Sequence, residues 1–261
     1  MFAFIMEKKE TGSDYNNISF NGFTGRTEEL KKVKRFSFCK IMMYQTDLDI
    51  HSQRVFWIAE ALLPFAVKSL NNFDPEKART LALVHDDAEI VTGDVQLGDK
   101  LKMTSEQLQT VHDNEAEAVL KLSERFPKTI NNYRYQELLN HALHKDCIEA
   151  QFVSYCDKLD AFGETLHEIH AGNEYFSYPV QVYTKIINLK NFTETFPALT
   201  SLFKCSHPAL QPEMNISTKE ILKAGMPHTP ESLQHDSGIA FYEFWKQLAI
   251  DHGRADLLFK D

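Results

Sequence analysis

The segment 81–99, LALVHDDAEIVTGDVQLGD, constrains the fold and chemistry of this chain more than any other stretch. A helix is predicted over residues 74–93, because the Asp-Pro-Glu at its start can cap the first N–H groups and form the first turn. Its inward face is apolar at first and then, at the same helical spacing, carries His85, Asp86 and Glu89. The sequence therefore predicts polar side chains on the buried face of one helix.

A carboxylate buried beside an imidazole costs free energy unless each group is hydrogen-bonded or bound to a cation. A bound divalent metal would explain why His85, Asp86 and Glu89 follow the apolar face. The alternative is a helix whose solvent-facing side simply begins at His85. These three residues alone do not decide between the two interpretations, so further ligands are needed.

The composition favours a folded protein with a large core and argues against one class of partner. With 261 residues and 43% hydrophobic side chains, the chain can form one large domain or a domain with an extension. Lys and Arg total 28 against 37 for Asp and Glu. The resulting net charge of −9 opposes binding to a nucleic-acid polymer through its phosphates, whereas a small anionic substrate can still bind at a local cation.

The cysteines and the N-terminal residues bear on the expected location. Cys39, Cys147, Cys156 and Cys205 show no C-x-x-C pair and no regular spacing, so neither a zinc knuckle nor a disulfide framework is predicted. The apolar start MFAFIM is short and is followed by charged residues, unlike a secretory signal. No run is long enough to span a bilayer, and a cytoplasmic location is expected.

His51 is a further candidate ligand on another predicted helix. Asp49 is predicted to cap this helix, HSQRVFWIAEALL, and Val55 lies on its inward face one turn after His51. A lone histidine at such a position is more often a hydrogen-bonded core residue than a metal ligand. Antiparallel packing of the two consecutive helices would bring His51 and His85 together.

A fourth candidate lies on a helix predicted over residues 148–171, which ends at Gly172. Asp157, Asp160 and Glu164 share one stripe of this helix, which can be an ordinary solvated acidic face. Apolar neighbours of Asp157 indicate partial burial instead. Spacing alone does not separate Asp157 from Asp160 as a ligand.

Two pairs of histidines repeat an i, i+3 spacing elsewhere. His167 and His170 are the main rival constellation for a metal site. His141 and His144 have no carboxylate partner at matching helical spacing and are predicted to be exposed.

Candidate substrate-binding residues flank these helices. A first helix is predicted from Thr27 and closes at Arg35-Phe36. An arginine can clamp phosphate oxygens while a neighbouring ring stacks on a base, although a surface arginine and a core phenylalanine are more common. Asp94, in a short loop, borders the C-terminal end of the helix that carries His85.

The order of these residues resembles the pattern of a known superfamily. His51, then His85-Asp86, then a later acidic residue resemble the H…HD…D pattern of the HD-domain metal-dependent phosphohydrolases. HDDAEIVTGD resembles the HDxxExxTGD segment of the bacterial 5′-deoxyribonucleotidase branch. Asp157 followed by Ala171-Gly172-Asn173 resembles the closing helix of that branch.

The resemblance implies an all-α fold, a compact HD-domain helical bundle with a C-terminal helical extension. It selects Asp157 over Asp160 as the last ligand. It also implies one divalent transition metal, with Mn, Co, Fe, Ni and Zn as candidates. The predicted metal ligands are His51, His85, Asp86 and Asp157.

The same resemblance implies roles around the metal. Glu89 and Asp86 would be catalytic, with Glu89 orienting a water or acting as general acid or base. Arg35 and Phe36 resemble the Arg-aromatic pair with which the branch holds phosphate and sugar or base, and Phe36 stands where that branch has tryptophan. Asp94 would accept a sugar hydroxyl.

Three segments follow from the extent of the resemblance. Residues 1–27 are predicted to be a loosely ordered leader, and residues 28–185 the HD domain. Residues 186–261 are predicted to pack on it as a lid, a dimer surface or a specificity element. Within this extension, a helix with an aromatic face is predicted over 229–253.

The predicted function is hydrolysis of (deoxy)ribonucleoside 5′-monophosphates to nucleoside and phosphate, by a homodimer. A dNTP triphosphohydrolase or another small-molecule phosphohydrolase is the alternative within enzymes. The alternative from another class is a non-catalytic HD scaffold that binds a nucleotide or a protein partner. Retention of two histidines and two aspartates in the pattern favours an enzyme.

Overall fold

The computed structural model describes residues 17–37, 39–95, 97–100, 102–211 and 237–258. Helices dominate this part of the chain, and the strands found there form one short antiparallel hairpin, which confirms the predicted all-α class. The α-helices are α1 (Arg26–Leu30), α2 (Leu48–Ser69), α3 (Pro75–Val84), α4 (Glu89–Thr92), α5 (Leu97–Lys100), α6 (Ser105–Arg125), α7 (Tyr135–His144), α8 (Ile148–His170), α9 (Ser177–Ile187), α10 (Leu189–Thr195) and α11 (Ser237–Asp251). The strands β1 (Thr129–Ile130) and β2 (Tyr133–Arg134) pair just ahead of α7.

Helix α8 lies at the centre of the fold and is buried around almost its whole circumference. It packs against α2, α3, α9 and α11, so its side chains face partners on every side. A helix that is enclosed in this way must satisfy its polar side chains within the protein. The acidic stripe on α8 is therefore internal, and the interpretation as a solvated face is wrong.

Helix α2 begins two residues earlier than predicted. Asp47, not Asp49, is the N-cap, and its carboxylate accepts a hydrogen bond of 3.2 Å from the backbone N–H of Ile50. Asp47 also pairs with Lys34 at 3.0 Å, a tertiary contact that fixes the earlier start. His51 consequently lies within the first turn of α2, where it is fully buried.

The helix predicted over residues 74–93 is interrupted at the site. Helix α3 ends at Val84, and the next backbone bonds run from Asp87 N–H to Val84 C=O and from Glu89 N–H to Asp86 C=O. Bonds that span three residues wind the chain more tightly than the α-helix. The side chains of residues 85–88 are therefore about 120° apart around the axis, compared with roughly 100° in an α-helix.

The N-terminal segment is more ordered than predicted from residue 17 onward. Ile18, Phe20 and Phe23 are buried in the main core, so the expectation of a loose leader does not hold for residues 17–25. Helix α1 then ends at Leu30, well before Arg35-Phe36. The chain leaves the helix because the backbone around Lys34 pairs with the segment before α2.

The extension contains short helices followed by α11, which packs on α8 and α2. The predicted start of this last helix, at Thr229, lies outside the described residues. Phe241 and Trp245 are buried, as the aromatic pattern predicts for a packing face. Within the described ranges, no helix combines the length and apolar character needed to cross a membrane.

Candidate metal centre

Four side chains from three parts of the fold converge beside the middle of α8. The Nε2 atom of His51, on α2, lies 3.2 Å from Oδ2 of Asp86 and 3.4 Å from Oδ1 of Asp157, on α8. His85, at the end of α3, places its own Nε2 3.3 Å from Nε2 of His51 and 3.4 Å from Oδ2 of Asp86. Because His51 begins α2 and His85 ends α3, the two helices run antiparallel, as the sequence predicted.

These distances suit ligands of one cation. Donor atoms bound at about 2.0–2.2 Å to a tetrahedral metal lie roughly 3.3–3.6 Å from one another. The separations of His51 from the other three side chains and of His85 from Asp86, 3.2–3.4 Å, are close to this spacing. Donor atoms of His51, His85 and Asp157 also all lie within 4.8 Å of one another. Two imidazole nitrogens with two carboxylate oxygens form a donor set that Mn, Fe, Co, Ni and Zn accept. The residues present therefore fit a divalent transition metal.

The charge states of these groups agree with a ligand role. Burial lowers the pKa of His85, which favours the neutral imidazole that metals bind. Burial opposes ionisation of Asp86, but the neighbouring His85 and His51 outweigh it and hold the pKa of Asp86 below its usual value. Burial likewise opposes ionisation of Asp157, and Lys158 with the two histidines holds its pKa well below the usual value.

His51 is oriented by a carboxylate on its far side. Its Nδ1 atom lies 2.7 Å from Oδ2 of Asp160, which is fully buried. An ionised carboxylate only accepts hydrogen bonds, so Nδ1 carries the proton and Nε2 turns its lone pair toward the other donors. Burial and the charge of Arg35 lower the pKa of His51, but hydrogen bonds with Asp157, Asp160 and Asp86 prevail and raise it to about 10. A metal at Nε2 would take the place of that second proton.

Asp160 thus orients His51 and is itself held in place by other groups. Arg54 donates to its two oxygens at 2.7 and 3.1 Å and also donates to Glu164 at 2.9 Å. Trp245, on α11, donates its indole N–H to Asp160 at 3.0 Å. The sequence analysis left Asp157 and Asp160 as alternatives from spacing. In the structure both serve the same site from two sides of His51.

The second aspartate of the HDD tripeptide faces away from this centre. Asp87 is fully buried and accepts hydrogen bonds from Arg26 Nε and Tyr135 Oη, each at 2.7 Å. Arg26 is also buried, and its guanidinium binds both carboxylate oxygens. Sequence analysis missed this pair because Arg26 lay in the segment assigned to the leader. Successive side chains in a helical turn point about 100–120° apart, so the neighbours Asp86 and Asp87 reach different partners.

A cavity of about 270 Å³ opens beside the four converging donors. It is lined by carboxylates of the centre, by Glu89 and Asp94, and by the cations Arg35, Lys100, Lys145 and Lys158. With a divalent cation offsetting the carboxylates of the centre, these positive side chains would favour an anionic ligand. Sequence analysis did not single out the three lysines, which come from α5, the turn after α7, and α8.

Glu89 lies in this cavity on the first turn of α4. Its Oε2 atom is buried and makes no hydrogen bond to any described residue. Burial, with the nearby charges of Asp86 and Asp94, holds the pKa of Glu89 well above its usual range. The carboxyl group therefore has hydrogen-bonding capacity directed at whatever occupies the cavity.

Arg35 and Phe36 occupy different environments. Arg35 lines the cavity, and its guanidinium lies 3.8 Å from Asp86 and 3.5 Å from Glu164. Phe36 is fully buried in the core, with its ring centroid 5.4 Å from that of Phe176 and 6.0 Å from that of Tyr183. Tyr183 lines the cavity, so Phe36 packs behind the wall. Phe36 thus has the burial of a core phenylalanine, the common alternative to a ring that stacks on a base.

Asp94 follows α4 and lines the same cavity as Glu89. Burial raises the pKa of Asp94, although the charge of Arg35 acts in the opposite direction. The structure thus brings Asp94 to the cavity, as its position after the predicted helix indicated.

The other histidine pairs lie away from the converging donors. His167 stacks on Tyr44, with ring centroids 4.8 Å apart, and His170 stacks on Tyr242 at 4.5 Å. His141 is half-buried rather than exposed, and its Nδ1 atom lies 2.6 Å from Asp146. In the described part of the chain, His167 and His170 form no group that could hold a metal, whereas His141, Asp146 and Cys147 come close enough to do so.

A helical fold in which His51, His85-Asp86 and Asp157 meet beside a cavity lined by Arg35 and three lysines defines an HD-domain metal-dependent phosphohydrolase. A solved HD-domain phosphohydrolase of Listeria innocua shares this fold, with a TM-score of 0.54 over 88% of this chain and 96% of that protein, at 19% identity. The chain belongs to the YfbR-like 5′-deoxynucleotidase family, whose model matches residues 22–196.

Two curated relatives extend the comparison at the level of sequence. A 5′-deoxynucleotidase of Vibrio parahaemolyticus is 27% identical over 157 residues, which cover 59% of this chain and 78% of that protein. A 5′-deoxynucleotidase of Erwinia tasmaniensis is 28% identical over 156 residues, which cover 59% of this chain and 76% of that protein.

Proposed function

We propose that this protein hydrolyses the phosphomonoester of (deoxy)ribonucleoside 5′-monophosphates, releasing nucleoside and orthophosphate. The observation that carries the proposal is the convergence of three side chains on His51, whose Nε2 atom lies 3.2–3.4 Å from donor atoms of Asp86, Asp157 and His85 beside a cavity. Membership of the YfbR-like family and relatives named 5′-deoxynucleotidases support the substrate class.

The four converging side chains would hold one divalent transition metal, with Mn, Co, Fe, Ni and Zn as the candidates. When bound, such an ion polarises a phosphoryl oxygen and lowers the pKa of an adjacent water. His51 and His85 supply neutral nitrogen donors, and Asp86 and Asp157 supply negative charge that a divalent cation offsets.

Glu89 would carry the proton that moves from the attacking water to the leaving oxygen. In hydrolysis a water oxygen forms a bond to phosphorus, the bond between phosphorus and the 5′ oxygen breaks, and one proton passes from the water to the leaving oxygen. Oε2 of Glu89 is buried, lines the cavity and has no hydrogen-bond partner in the described chain, so it can orient the water and carry this proton.

The positively charged side chains of the cavity would bind the phosphate group. The nucleoside would then lie nearer the opening of the cavity. Arg35 lies 3.8 Å from Asp86, which places its positive charge where a phosphate would approach the metal ligands. Lys145 and Lys158 line the same cavity. Asp94, two residues beyond the end of α4, would accept a sugar hydroxyl. The cavity volume of about 270 Å³ lies at the small end for ligand pockets, which favours a monophosphate over a triphosphate.

Phosphate release from a panel of dNMPs, NMPs and dNTPs, with Mn²⁺ or Co²⁺ added, tests the proposal. Orthophosphate from monophosphates, lost in Asp86→Ala, is the expected result. If dNTPs release tripolyphosphate and monophosphates do not react, the protein is a triphosphohydrolase and not a 5′-nucleotidase. If no nucleotide of the panel reacts although metal is bound, the result would favour a non-catalytic HD scaffold.

The assembly and location are also proposed rather than observed. We expect a cytoplasmic homodimer, in line with the family resemblance. Light scattering on the full chain after gel filtration tests the dimer, and a mass equal to one chain would contradict it.

A further inference from the structure

A tryptophan from the C-terminal extension donates a hydrogen bond to Asp160, the carboxylate that orients His51. The Nε1–H group of Trp245, on α11, donates to Oδ1 of Asp160 at 3.0 Å. The other oxygen of the same carboxylate lies 2.7 Å from Nδ1 of His51. Trp245 and Asp160 are both buried, so no bulk water competes for this bond. A continuous series of hydrogen bonds thus leads from α11 to a donor of the metal centre.

The indole ring is seated against α8 by a glycine. A Cβ atom at Gly163 would lie only 2.6–2.7 Å from three atoms of the Trp245 ring, a distance that Cβ atoms do not adopt. Glycine in the middle of a helix is unfavourable compared with alanine. Its presence on α8, one turn after Asp160, is explained by the space that the ring requires.

Asp160 depends on more than one donor for its orientation. Arg54 binds both of its oxygens, but the same guanidinium also binds Glu164 and lies 5.3 Å from the centroid of the Trp245 ring. Arg54 is therefore shared between two carboxylates. The indole N–H adds a donor from outside α2 and α8 to Oδ1 of Asp160, to which Arg54 Nε also donates at 2.7 Å.

We propose that Trp245 is a positioning residue for the metal ligand His51. By holding Oδ1 of Asp160, it keeps Oδ2 directed at Nδ1 of His51 and so keeps Nε2 directed at the metal. This inference rests on the metal site of the proposed function but needs no assumption about the substrate. It gives α11, which lies beyond the residues 22–196 that the family model matches, a role in metal affinity.

Substitution Trp245→Phe removes the N–H group while keeping an aromatic ring over Gly163. Phe244→Leu is the matched control, because Phe244 lies on the same helix, is half-buried and packs on His207, away from Asp160. Affinity of the full chain for Co²⁺ or Zn²⁺ is measured by competition with a chelator, alongside unfolding of the metal-free protein. We expect affinity to fall on the order of tenfold for Trp245→Phe, the effect typical of groups that support a ligand, and to stay unchanged for Phe244→Leu.

Equal affinities of Trp245→Phe and the parent protein would overturn the inference, and so would an equal loss in both variants, which would show a general packing effect. If Trp245→Phe does not fold, Gly163→Ala displaces the ring without removing any polar group and should weaken metal binding in the same way. The activity of the parent protein on monophosphates is measured in a separate assay, so that the inference and the proposed function are tested independently. Full turnover with unchanged metal affinity in Trp245→Phe refutes this inference alone, whereas weakened metal binding in an enzyme inert to every nucleotide refutes the proposed function alone.

Discussion

The Nδ1 atom of His51 lies 2.7 Å from Oδ2 of Asp160, and this contact fixes which nitrogen of His51 faces the converging donors. The two residues come from α2 and α8, the helices that enclose the centre. The fully buried carboxylate accepts from His51, Arg54 and Trp245 together. The orientation of the His51 ring therefore depends on packing between α2, α8 and α11 and not on α2 alone.

Asp160→Asn is expected to weaken metal binding by about 10- to 100-fold, because a neutral amide is a poorer acceptor for the imidazole N–H. It also leaves the buried Arg54 with less compensation, so the metal-free protein should unfold at a lower temperature. Chelator competition and thermal unfolding measure the two effects.

Glu168→Gln is the matched control for that substitution. Glu168 is also a fully buried carboxylate on α8, but it binds the backbone N–H groups of Met43 and Tyr44 at 2.9 and 2.7 Å. It should lower stability without a comparable loss of metal affinity. Similar losses of metal affinity in both variants would contradict the orienting role of Asp160.

Glu89→Gln should retain the metal and lose turnover by about 10²- to 10⁴-fold, because the amide cannot carry the proton. Bound metal is measured by elemental analysis and turnover by phosphate release. Glu115→Gln is the control, since Glu115 lines the same cavity but is paired with Lys100 at 2.8 Å. Full turnover of Glu89→Gln with intact metal would show that Glu89 has no catalytic role.

Alanine substitutions of the adjacent aspartates Asp86 and Asp87 should have different effects on stability and metal binding. Asp87→Ala leaves the buried Arg26 without its carboxylate partner and should lower the free energy of unfolding by about 3–5 kcal/mol. Asp86→Ala should abolish tight metal binding and lower the stability of the metal-free protein less than Asp87→Ala does, because Arg35 and His51 keep other carboxylate partners. Denaturant unfolding of metal-free protein, with metal titration, separates the two. A comparable stability loss in both variants would argue against this division of roles.

His167 should make the fold sensitive to acid. Burial, with the charges of Arg54, His170 and Lys246, lowers the pKa of His167 from 6.5 to about 3. Above pH 6.5 both folded and unfolded chains hold the neutral imidazole, so stability is unaffected. As the pH falls from 6.5 toward 3, only the unfolded chain gains the proton, and stability declines by about 1.4 kcal/mol per pH unit.

Substitution His167→Phe should remove this dependence while keeping a ring against Tyr44. We expect the parent protein to lose about 2 kcal/mol more than the variant between pH 7 and pH 5. The measurement is denaturant unfolding of metal-free protein, so that acid release of metal makes no contribution. Parallel pH profiles for the two proteins would show that His167 does not titrate on unfolding.

Much of the centre could be predicted because its side chains lie at fixed positions on helical patterns. His51 lies one turn before Val55 on an apolar face, and the sequence placed His85 and Asp86 at the end of another. Their convergence required only that α2 and α3 pack antiparallel. The class of fold followed from the same periodicity and is confirmed by the structure.

Features that depend on partners from distant parts of the chain could not be predicted. Nothing in HDDA marks the end of α3, since neither glycine nor proline occurs there, and the interruption accompanies the contact of Asp87 with Arg26. The stripe through Asp160 and Glu164 looked solvated because its compensating charge, Arg54, comes from α2. The position of Arg54, next to Val55 and one turn after His51, was a signal that could have revealed it.

The different partners of Asp86 and Asp87 have an evolutionary consequence. Asp87, Arg26 and Tyr135 form one buried unit in which each polar group satisfies another, so a change at one position alone leaves an unmet charge. In homologous chains these three positions should therefore vary together, for instance as a coordinated replacement by apolar residues. Asp86 should show no such covariation with Arg26, although the two aspartates are neighbours in the chain.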